Sequence, residues 1–453
     1  MHQQPVHRVV DLTDPAGQQL VGTSVEAARA LLATGPPEAV LGLRGSFALV
    51  AREGDPRAPG SRVFLARSLD RPLRFFLAKE PAGPMLVVAE RIDAIRDCLE
   101  AAGYGHQFHP GYTRMVPAHH VTTLELVGCP DPQPTHARFF APAMATLPPD
   151  LDVIGEHYVG ALLAEVREWL ATLPPREPIG VLFSGGADST AVLLAVHHGI
   201  LARGESAARL KAFTLAVDGG GSDLAQARSV LEPLGLGFLL EELAVPCAAI
   251  DPLRAVEVIE DYRPLDVECA AVLLALLDAI RERYPEWKHL ADGDGGDENL
   301  KDYPIEEDPE LTIRSVVNNR MLYQEGWGVG ALKHSLVYSG GHSRGCVRGW
   351  APARRFGFLP FSPFTRPSVV AVAEAIPFAA LTGGSHERLY ALKGEVLGRG
   401  LRRHLGVEVA IPPKRRFQHG AGGDALAARL AHPEALYRAH FAGLSAAETA
   451  ARS

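Results

Sequence analysis

Five apolar residues at 179–183 (IGVLF) run straight into Ser184-Gly185-Gly186-Ala187-Asp188-Ser189 and from there into a second apolar stretch, 190–198. The first run is too short for a helix and lacks polar alternation, which predicts a strand buried on both faces. The glycine turn and the longer stretch beyond it predict a helix. A fully buried strand followed at once by a helix is the repeating unit of a parallel sheet covered by helices. The same rhythm continues: 210–217 (LKAFTLAV) and 238–243 predict strands, 224–234 and 270–283 helices, and 289–291 a short strand that ends in a second glycine-rich turn. Upstream, 154–173 has apolar residues at helical spacing and is stopped by Pro174-Pro175. In such α/β sheets ligands bind beyond the carboxyl ends of the strands, which is where both glycine turns fall.

The first 145 residues read differently. Short apolar runs at 46–51 (SFALVA), 62–66 (RVFLA), 73–78 (LRFFLA) and 85–89 (MLVVA) alternate with Gly, Pro and charged residues and predict strands joined by tight turns. Residues 92–102 predict a helix, and 120–127 a further strand. The proline-rich stretch 130–149 predicts a linker, so two domains are expected, 1–145 and 150–453. After residue 304 the pattern is mostly helical with long irregular connections. With 453 residues, 47% of them hydrophobic and 22% charged, there is material for two cores. The net charge of −8 is well mixed and argues against a nucleic-acid partner held by a broad basic face. Five scattered cysteines without a CxxC pair argue against structural zinc and for a reducing cytoplasm. The N-terminus lacks the apolar core of a signal peptide, and the longest apolar stretch, 270–277, is too short to cross a bilayer. No membrane partner is expected.

Chemistry concentrates in the two glycine turns. In the first, glycines let backbone N–H groups approach an anion, and the helix start adds its partial positive charge. Ser184 and Ser189 supply hydroxyl donors. Asp188 repels a bare phosphate, so its expected role is to hold Mg²⁺ bridging a pyrophosphate. The bland alternative is a glycine turn capped by Asp and Ser. No GK[ST] follows, so the loop is not a Walker A loop, and cleavage between the α and β phosphates of ATP is expected. The second turn, Asp292-Gly293-Asp294-Gly295-Gly296-Asp297-Glu298, crowds carboxylates that repel one another unless a cation or a substrate amine offsets them. A calcium loop is disfavoured, because the EF-hand spacing and its terminal glutamate are missing; a solvated turn is the other alternative.

The SGG-x-DS order resembles the pyrophosphate loop of the N-type ATP pyrophosphatases, and the chain as a whole resembles the asparagine synthetase family. The second turn is similar to that family's SGEG-x-DE turn, with Tyr303 at its closing tyrosine. Asp223-Leu-Ala-Gln-Ala is similar to its SD-x-x-A segment, 358–364 (FLPFSPF) to its R-x-PFLD stretch, and Lys414-Arg-Arg-Phe-Gln-His-Gly to its RPK-x-x-F-x-x-G segment. The motifs span residues 150–425 in the family's order. The resemblance implies an α/β fold: a C-terminal N-type ATP pyrophosphatase (adenine nucleotide α-hydrolase-like) domain with a parallel sheet and a helical extension. Before it stands a degenerate Ntn-hydrolase-like β-sandwich. The family pattern makes Asp188 and Asp297 the Mg²⁺ ligands, and it makes Ser184, Gly185, Gly186, Asp188, Ser189 and Gly293 the ATP and pyrophosphate site. Lys414 becomes the residue that stabilises charge on the adenylate, and Asp294 the residue beside the reacting amine. Asp294 stands where glutamine-dependent members have Glu and the β-lactam synthetase branch has Tyr, so base and orienting roles both stay open. Lys393 (in ERLYALKGEVL) reads as a structural helix residue with a phosphate contact as the alternative.

Glutamine-dependent members begin with a cysteine after the initiator Met, whereas here Met1 is followed by His2 and the first cysteine is Cys98. The segments LRGSFALVA and VFLARSLDRPLRFFLA, with Met115-Val116-Pro117 and Arg138-Phe139-Phe140, still resemble the glutaminase fold. A sandwich that keeps its core without a nucleophile implies a scaffold. The resulting expectation is a cytoplasmic ligase using ATP and Mg²⁺ that adenylates a small-molecule or peptide carboxylate and lets an amine attack it, with homo-oligomerisation open. Resemblance to the glutaminase-inactive β-lactam and carbapenam synthetases and lasso-peptide cyclases points to antibiotic or other secondary-metabolite biosynthesis. An ammonia-dependent asparagine synthetase-like enzyme, a silent scaffold of the same fold and a tRNA-thiolating enzyme are the alternatives. Gln324, Trp327, Tyr338 and Arg344 are candidates for lining the substrate pocket, with ordinary packing the better reading of each.

Overall fold

The computed structural model describes residues 8–55, 61–81, 83–126, 133–302, 305, 312–318, 349–409 and 420–451, with side chains as far as 444. His2, Tyr303, Lys414 and the four pocket candidates lie outside the described residues. The chain divides into two compact units, with Met1–Ala141 forming the body of the first and Pro142–Tyr323 with Val347–Ala446 making up the second.

In the first unit, two four-stranded sheets lie face to face. One has the order β1(Arg8–Asp11), β7(Gly83–Ala89), β6(Arg74–Glu80), β8(Arg114–Met115); the other runs β10(Thr135–Arg138), β9(His120–Glu125), β5(Arg62–Arg67), β4(Ala48–Glu53). Alternation decides the layers. Leu65, Val63, Val50 and Leu124 from one sheet share a core with Phe75, Leu86 and Val88 from the other. On the next positions along β6 and β7, Phe76, Met85 and Val87 point the opposite way and pack under Ile95 and Leu99 of helix α2(Ile92–Ala101). Helix α1(Val25–Thr34), capped by the Ser24 side chain, packs along β4 and β5. A short ribbon of β2(Gln19–Val21) and β3(Arg44–Ser46) completes the unit. Sequence reasoning missed β1, α1 and β8. It also read 130–149 as a linker, yet β10 lies inside that stretch, paired antiparallel with β9. The prolines around β10 stand outside its four residues, where they cost no ladder bonds.

The second unit holds a five-stranded sheet in the order β13(Leu240–Val245), β12(Leu210–Val217), β11(Ile179–Leu182), β14(His289–Ala291), β15(Leu359–Phe361), every pair parallel. Helix α3(Leu151–Thr172), capped by Asp150, leads into β11. From β11 the chain steps outward through α4(Ala187–Ala202) to β12 and through α5(Asp223–Leu231) to β13. It then returns through α6(Pro252–Ile259) and α7(Pro264–Arg283) to β14, on the other side of β11. The direction of winding reverses between β11 and β14, which opens a crevice at their carboxyl ends. Both predicted glycine turns flank that crevice. Strand β15 escaped sequence reasoning because Pro360 sits at its centre. As the edge strand it tolerates a missing donor, and Pro360 pairs in register with Leu290. Among the described residues no helix is long and apolar enough to cross a membrane.

Candidate active site

The first loop is shaped by one backbone requirement. Gly185 adopts φ +74°, and a Cβ there would lie 2.7 Å from the Ala227 backbone N of α5. A side chain is therefore excluded on two grounds, conformation and space. Gly186 caps α4 without a side-chain hydrogen bond. The free N–H groups of the first turn are left to face the crevice, at the positive end of a sixteen-residue helix. The Ser184 hydroxyl accepts from the Gly186 N–H at 3.3 Å and stands 3.4 Å from the Ser189 hydroxyl, which donates to the Gly186 carbonyl at 3.2 Å. Gln226 Nε2 donates to the Ser184 carbonyl at 3.3 Å and ties the loop to α5. The two serines flank the helix start, on one face of the loop.

The second turn folds directly onto the first. A Cβ on Gly293 would fall 3.0 Å from the Ser189 backbone N, and one on Gly296 would overlap the Asp188 carboxylate. Glycine at 293 thus serves close packing of the two loops. The turn is anchored from behind: the Asp292 N–H donates to the Phe361 carbonyl at 3.1 Å, and Asn299 Nδ2 donates to the Phe364 carbonyl at 2.8 Å. The Asp294 N–H donates to Asp292 Oδ1 at 3.0 Å, so the Asp292 carboxylate organises the turn that carries Asp294. A Cβ on Gly349 would stand 2.7 Å from Asp294 Oδ2 and 3.4 Å from Asp292 Oδ2, so bare backbone covers both carboxylates.

The side chain on which the site converges is Lys393, on the helix His386–Leu405. Its Nζ is ion-paired with Asp188 Oδ2 and with Asp297 Oδ1, and lies 3.4 Å from Asp302 Oδ2. The side chain is only 7% exposed. Burial works against its charge, but Asp188, Asp297 and Asp302 together outweigh it and hold the ammonium well above its usual range. Burial likewise pushes the Asp188 carboxyl above its usual range, opposed by Lys393 and reinforced by Asp297 and Asp302. Asp188 Oδ1 is buried without a hydrogen-bond partner among the described residues. The structure therefore brings together Ser184, Gly185, Gly186, Asp188, Ser189, Gly293, Asp294 and Asp297. Sequence reasoning gave Lys393 a structural role. A signal was present, since Lys393 shares a helical stripe with the buried Leu389, Leu392, Val396 and Leu397. A lysine in an apolar stripe needs a buried partner.

Beside this cluster, the chain returns after residue 419 to the carboxyl end of β12. The Val217 N–H donates to the Ala421 carbonyl at 2.9 Å, and the Ser222 N–H to the Gly420 carbonyl at 2.8 Å.

Strand, glycine turn and helix stand at a topological switch point, with two acidic loops converging on one lysine. Residues 172–337 match the asparagine synthase family model. The asparagine synthase stretch contains both loops and supports an ATP-dependent ligase of that family. No curated protein matches the chain.

The donor set also bears on Mg²⁺. Among the described residues no cluster of three or more His, Cys, Asp or Glu side chains is placed to hold a metal ion. Two carboxylates that complete their shell with substrate phosphates are, however, the usual way Mg²⁺ is held. Asp188 and Asp297 converge on one point, and Asp188 Oδ1 is a buried acceptor without a partner among the described residues. The residues fit.

Proposed function

We propose that the chain is an AMP-forming amide synthetase that adenylates a substrate carboxylate with ATP and lets an amine displace AMP, without hydrolysing glutamine. The observation that carries this reading is the convergence of Asp188 and Asp297, from the loops after β11 and β14, at the N-terminus of α4. An anion site and a pair of carboxylates so close together suit a magnesium pyrophosphate and little else.

The reaction divides into two steps. In the first, a substrate carboxylate oxygen attacks the α-phosphorus of ATP, the bond to the β-phosphate bridging oxygen breaks, and pyrophosphate leaves. The first-turn N–H groups of α4 and the hydroxyls of Ser184 and Ser189 bind the departing pyrophosphate and orient it in line. Asp188 and Asp297 would hold Mg²⁺, which when bound neutralises the charge growing on that leaving group. In the second step the amine nitrogen attacks the acyl carbon and AMP leaves. Asp294 accepts the amine proton or orients the nitrogen, held in place by the Asp292 carboxylate beneath its own N–H. Lys414 is assigned the charge developing on the adenylate. Splitting a sluggish condensation into activation and attack is the chemical advantage.

On this reading the nitrogen comes from a substrate amine rather than from glutamine. The first unit is then a glutaminase-like scaffold, and the enzyme a secondary-metabolite synthetase of the β-lactam-synthetase or lasso-cyclase kind, closing a ring or joining two small molecules. The test is pyrophosphate release and AMP formation from ATP across a panel of amino acids and short peptides, with glutamine, ammonium and no added nitrogen as parallel arms. Release that requires a carboxylate and is indifferent to glutamine supports the reading. ADP as the product, or no turnover with any acid alongside weak ATP binding, overturns it.

A further inference from the structure

Lys393 Nζ sits between the carboxylates of the two loops. Two of its three ion pairs, those to Asp188 Oδ2 and Asp297 Oδ1, use the same carboxylates that would hold the metal. A cation bound by both of those carboxylates and the Lys393 ammonium compete for one place. The backbone of Lys393 is fixed, because the helix His386–Leu405 packs along α3 and α4. The four-carbon stem is flexible, so the ammonium can move while the helix stays. A destination is already present: Asp302 Oδ2 lies 3.4 Å away, and Asp302 is only 4% exposed. Charge arithmetic agrees. Asp188, Asp297 and Asp302 carry three negative charges when ionised, and Lys393 offsets one. A dication added to the cluster brings it to neutrality without expelling the lysine.

We propose that Lys393 is a resident counter-ion that holds Asp188 and Asp297 together until the metal arrives, and that metal binding hands its ammonium over to Asp302. The proposal rests on the reading that Asp188 and Asp297 are the metal ligands. It adds that metal affinity is set by a competition inside the protein. Lys393 keeps two like charges from repelling each other, and its displacement costs part of the metal's binding energy. In its new position the ammonium remains beside the pyrophosphate site as a second cation.

Mn²⁺ titration of the full chain, followed by the loss of free-ion paramagnetic resonance signal after chelator treatment, reads the competition without turnover. Lys393→Met removes the competitor and is expected to bind Mn²⁺ about tenfold more tightly than the parent, within the usual range of coupling between two sites. Asp302→Asn removes the receiving carboxylate and is expected to bind about tenfold more weakly. In the double variant the Asp302→Asn effect disappears, because no ammonium needs a destination. Should Lys393→Met fail to fold without metal, Asp302→Asn still decides, since it leaves the pairs to Asp188 and Asp297 in place. Parent-like Mn²⁺ affinity in Asp302→Asn, or a full Asp302→Asn effect persisting in the Lys393→Met background, overturns the hand-over. Mn²⁺ binding that survives Asp188→Asn and Asp297→Asn unchanged overturns the metal-site reading itself, a separate outcome.

Discussion

Each unit buries a charged cluster, and the two clusters are balanced in opposite ways. In the first unit Arg67 and Arg71 are fully buried and Arg74 nearly so, with the Glu90 carboxylate ion-paired to Arg71. Apart from the Arg71–Glu90 ion pair, the hydrogen bonds of these guanidinium groups described next run to main-chain carbonyls. Arg67 Nε donates to the Val116 carbonyl at 2.6 Å, and its Nη1 reaches the carbonyls of Ser68, Leu69 and Arg71. Arg71 donates to Glu90 and to the Asp14 carbonyl, and Arg74 to the Glu90 carbonyl. Such a cluster is a staple that satisfies loop carbonyls which would otherwise be buried unpaired. In the second unit, three carboxylates surround one lysine. A cluster short of cations recruits one from outside, whereas one that consumes its own charges does not. Imbalance separates the cluster of the second unit from that of the first.

The sharpest break of this comparison is to neutralise one acid in each sense. Asp188→Asn or Asp297→Asn is expected to lower carboxylate-dependent pyrophosphate release by on the order of 10³-fold, the scale of losing an electrostatic stabiliser of a reacting charge. The fold is expected to lose nothing, because two carboxylates still face Lys393. Unfolding by denaturant at unchanged midpoint, with lost turnover, is the expected pair of results. The staple should behave in reverse. Arg71→Met strands Glu90 in the core and is expected to cost roughly 3–5 kcal/mol of stability, measured by urea unfolding, while specific activity of the folded fraction is retained. A stable Arg71→Met would show that the cluster is dispensable and the contrast false.

Titration extends the contrast to pH. His120, on β9 of the first unit, is lowered to about 4 by burial, and its Nδ1 contacts the Ala118 carbonyl at 2.7 Å. In the unfolded chain it protonates near its ordinary value of about 6.5. Its contribution is therefore complete above that value and is lost as pH falls toward 4, by roughly 2–3 kcal/mol. Asp261, between α6 and α7, is raised to about 7, mainly by burial and further by Asp266. The folded carboxyl keeps a proton that the unfolded one releases near 4. Its contribution is greatest in acid and fades as pH rises to about 7. Replacing His120 by Gln should flatten the acid limb of the stability profile, and Asp261→Asn the limb between 4 and 7. Matching slopes of the same sign in both variants would contradict these assignments.

Much of this was legible in the chain, for identifiable reasons. Residues 179–198 could form only a buried strand, a glycine turn and a helix, and β11 with α4 are found there. Both acidic loops were legible because glycine and aspartate in that density serve few other purposes. The helix α6 was not, although Asp251 caps it and Pro252 opens it, because its eight residues end at Glu260 with φ +53°, a left-handed turn no sequence pattern announces. Lys393 was hidden by distance: it stands 205 residues from Asp188, and only the packing of its helix brings the two together. The arginine staple was quoted inside a motif but carried no role, since nothing local shows that Arg67 meets Val116.

The smallest expected effects come from one methyl group placed in each cluster. A Cβ on Gly17 in the first unit would stand 2.9 Å from Arg71 Nη2 and 3.0 Å from Asp14 Oδ2; one on Gly349 in the second would stand 2.7 Å from Asp294 Oδ2. Both distances are too short for carbon against a polar atom, so something must shift. In the staple, the guanidinium is fixed at several atoms and the strain falls on stability. Gly17→Ala is expected to cost about 1–2 kcal/mol, read from the unfolding midpoint, with turnover unchanged. At Gly349 the neighbour is the short side chain of Asp294, which turns aside at little cost to folding. What it loses, on the proposed reading, is its aim at the amine. Gly349→Ala is therefore expected to slow amide formation by about five- to tenfold, the scale of a modest misplacement beside a reacting group, and to leave exchange of pyrophosphate into ATP as in the parent. Equal losses in both half-reactions would mean that Asp294 serves the nucleotide rather than the amine.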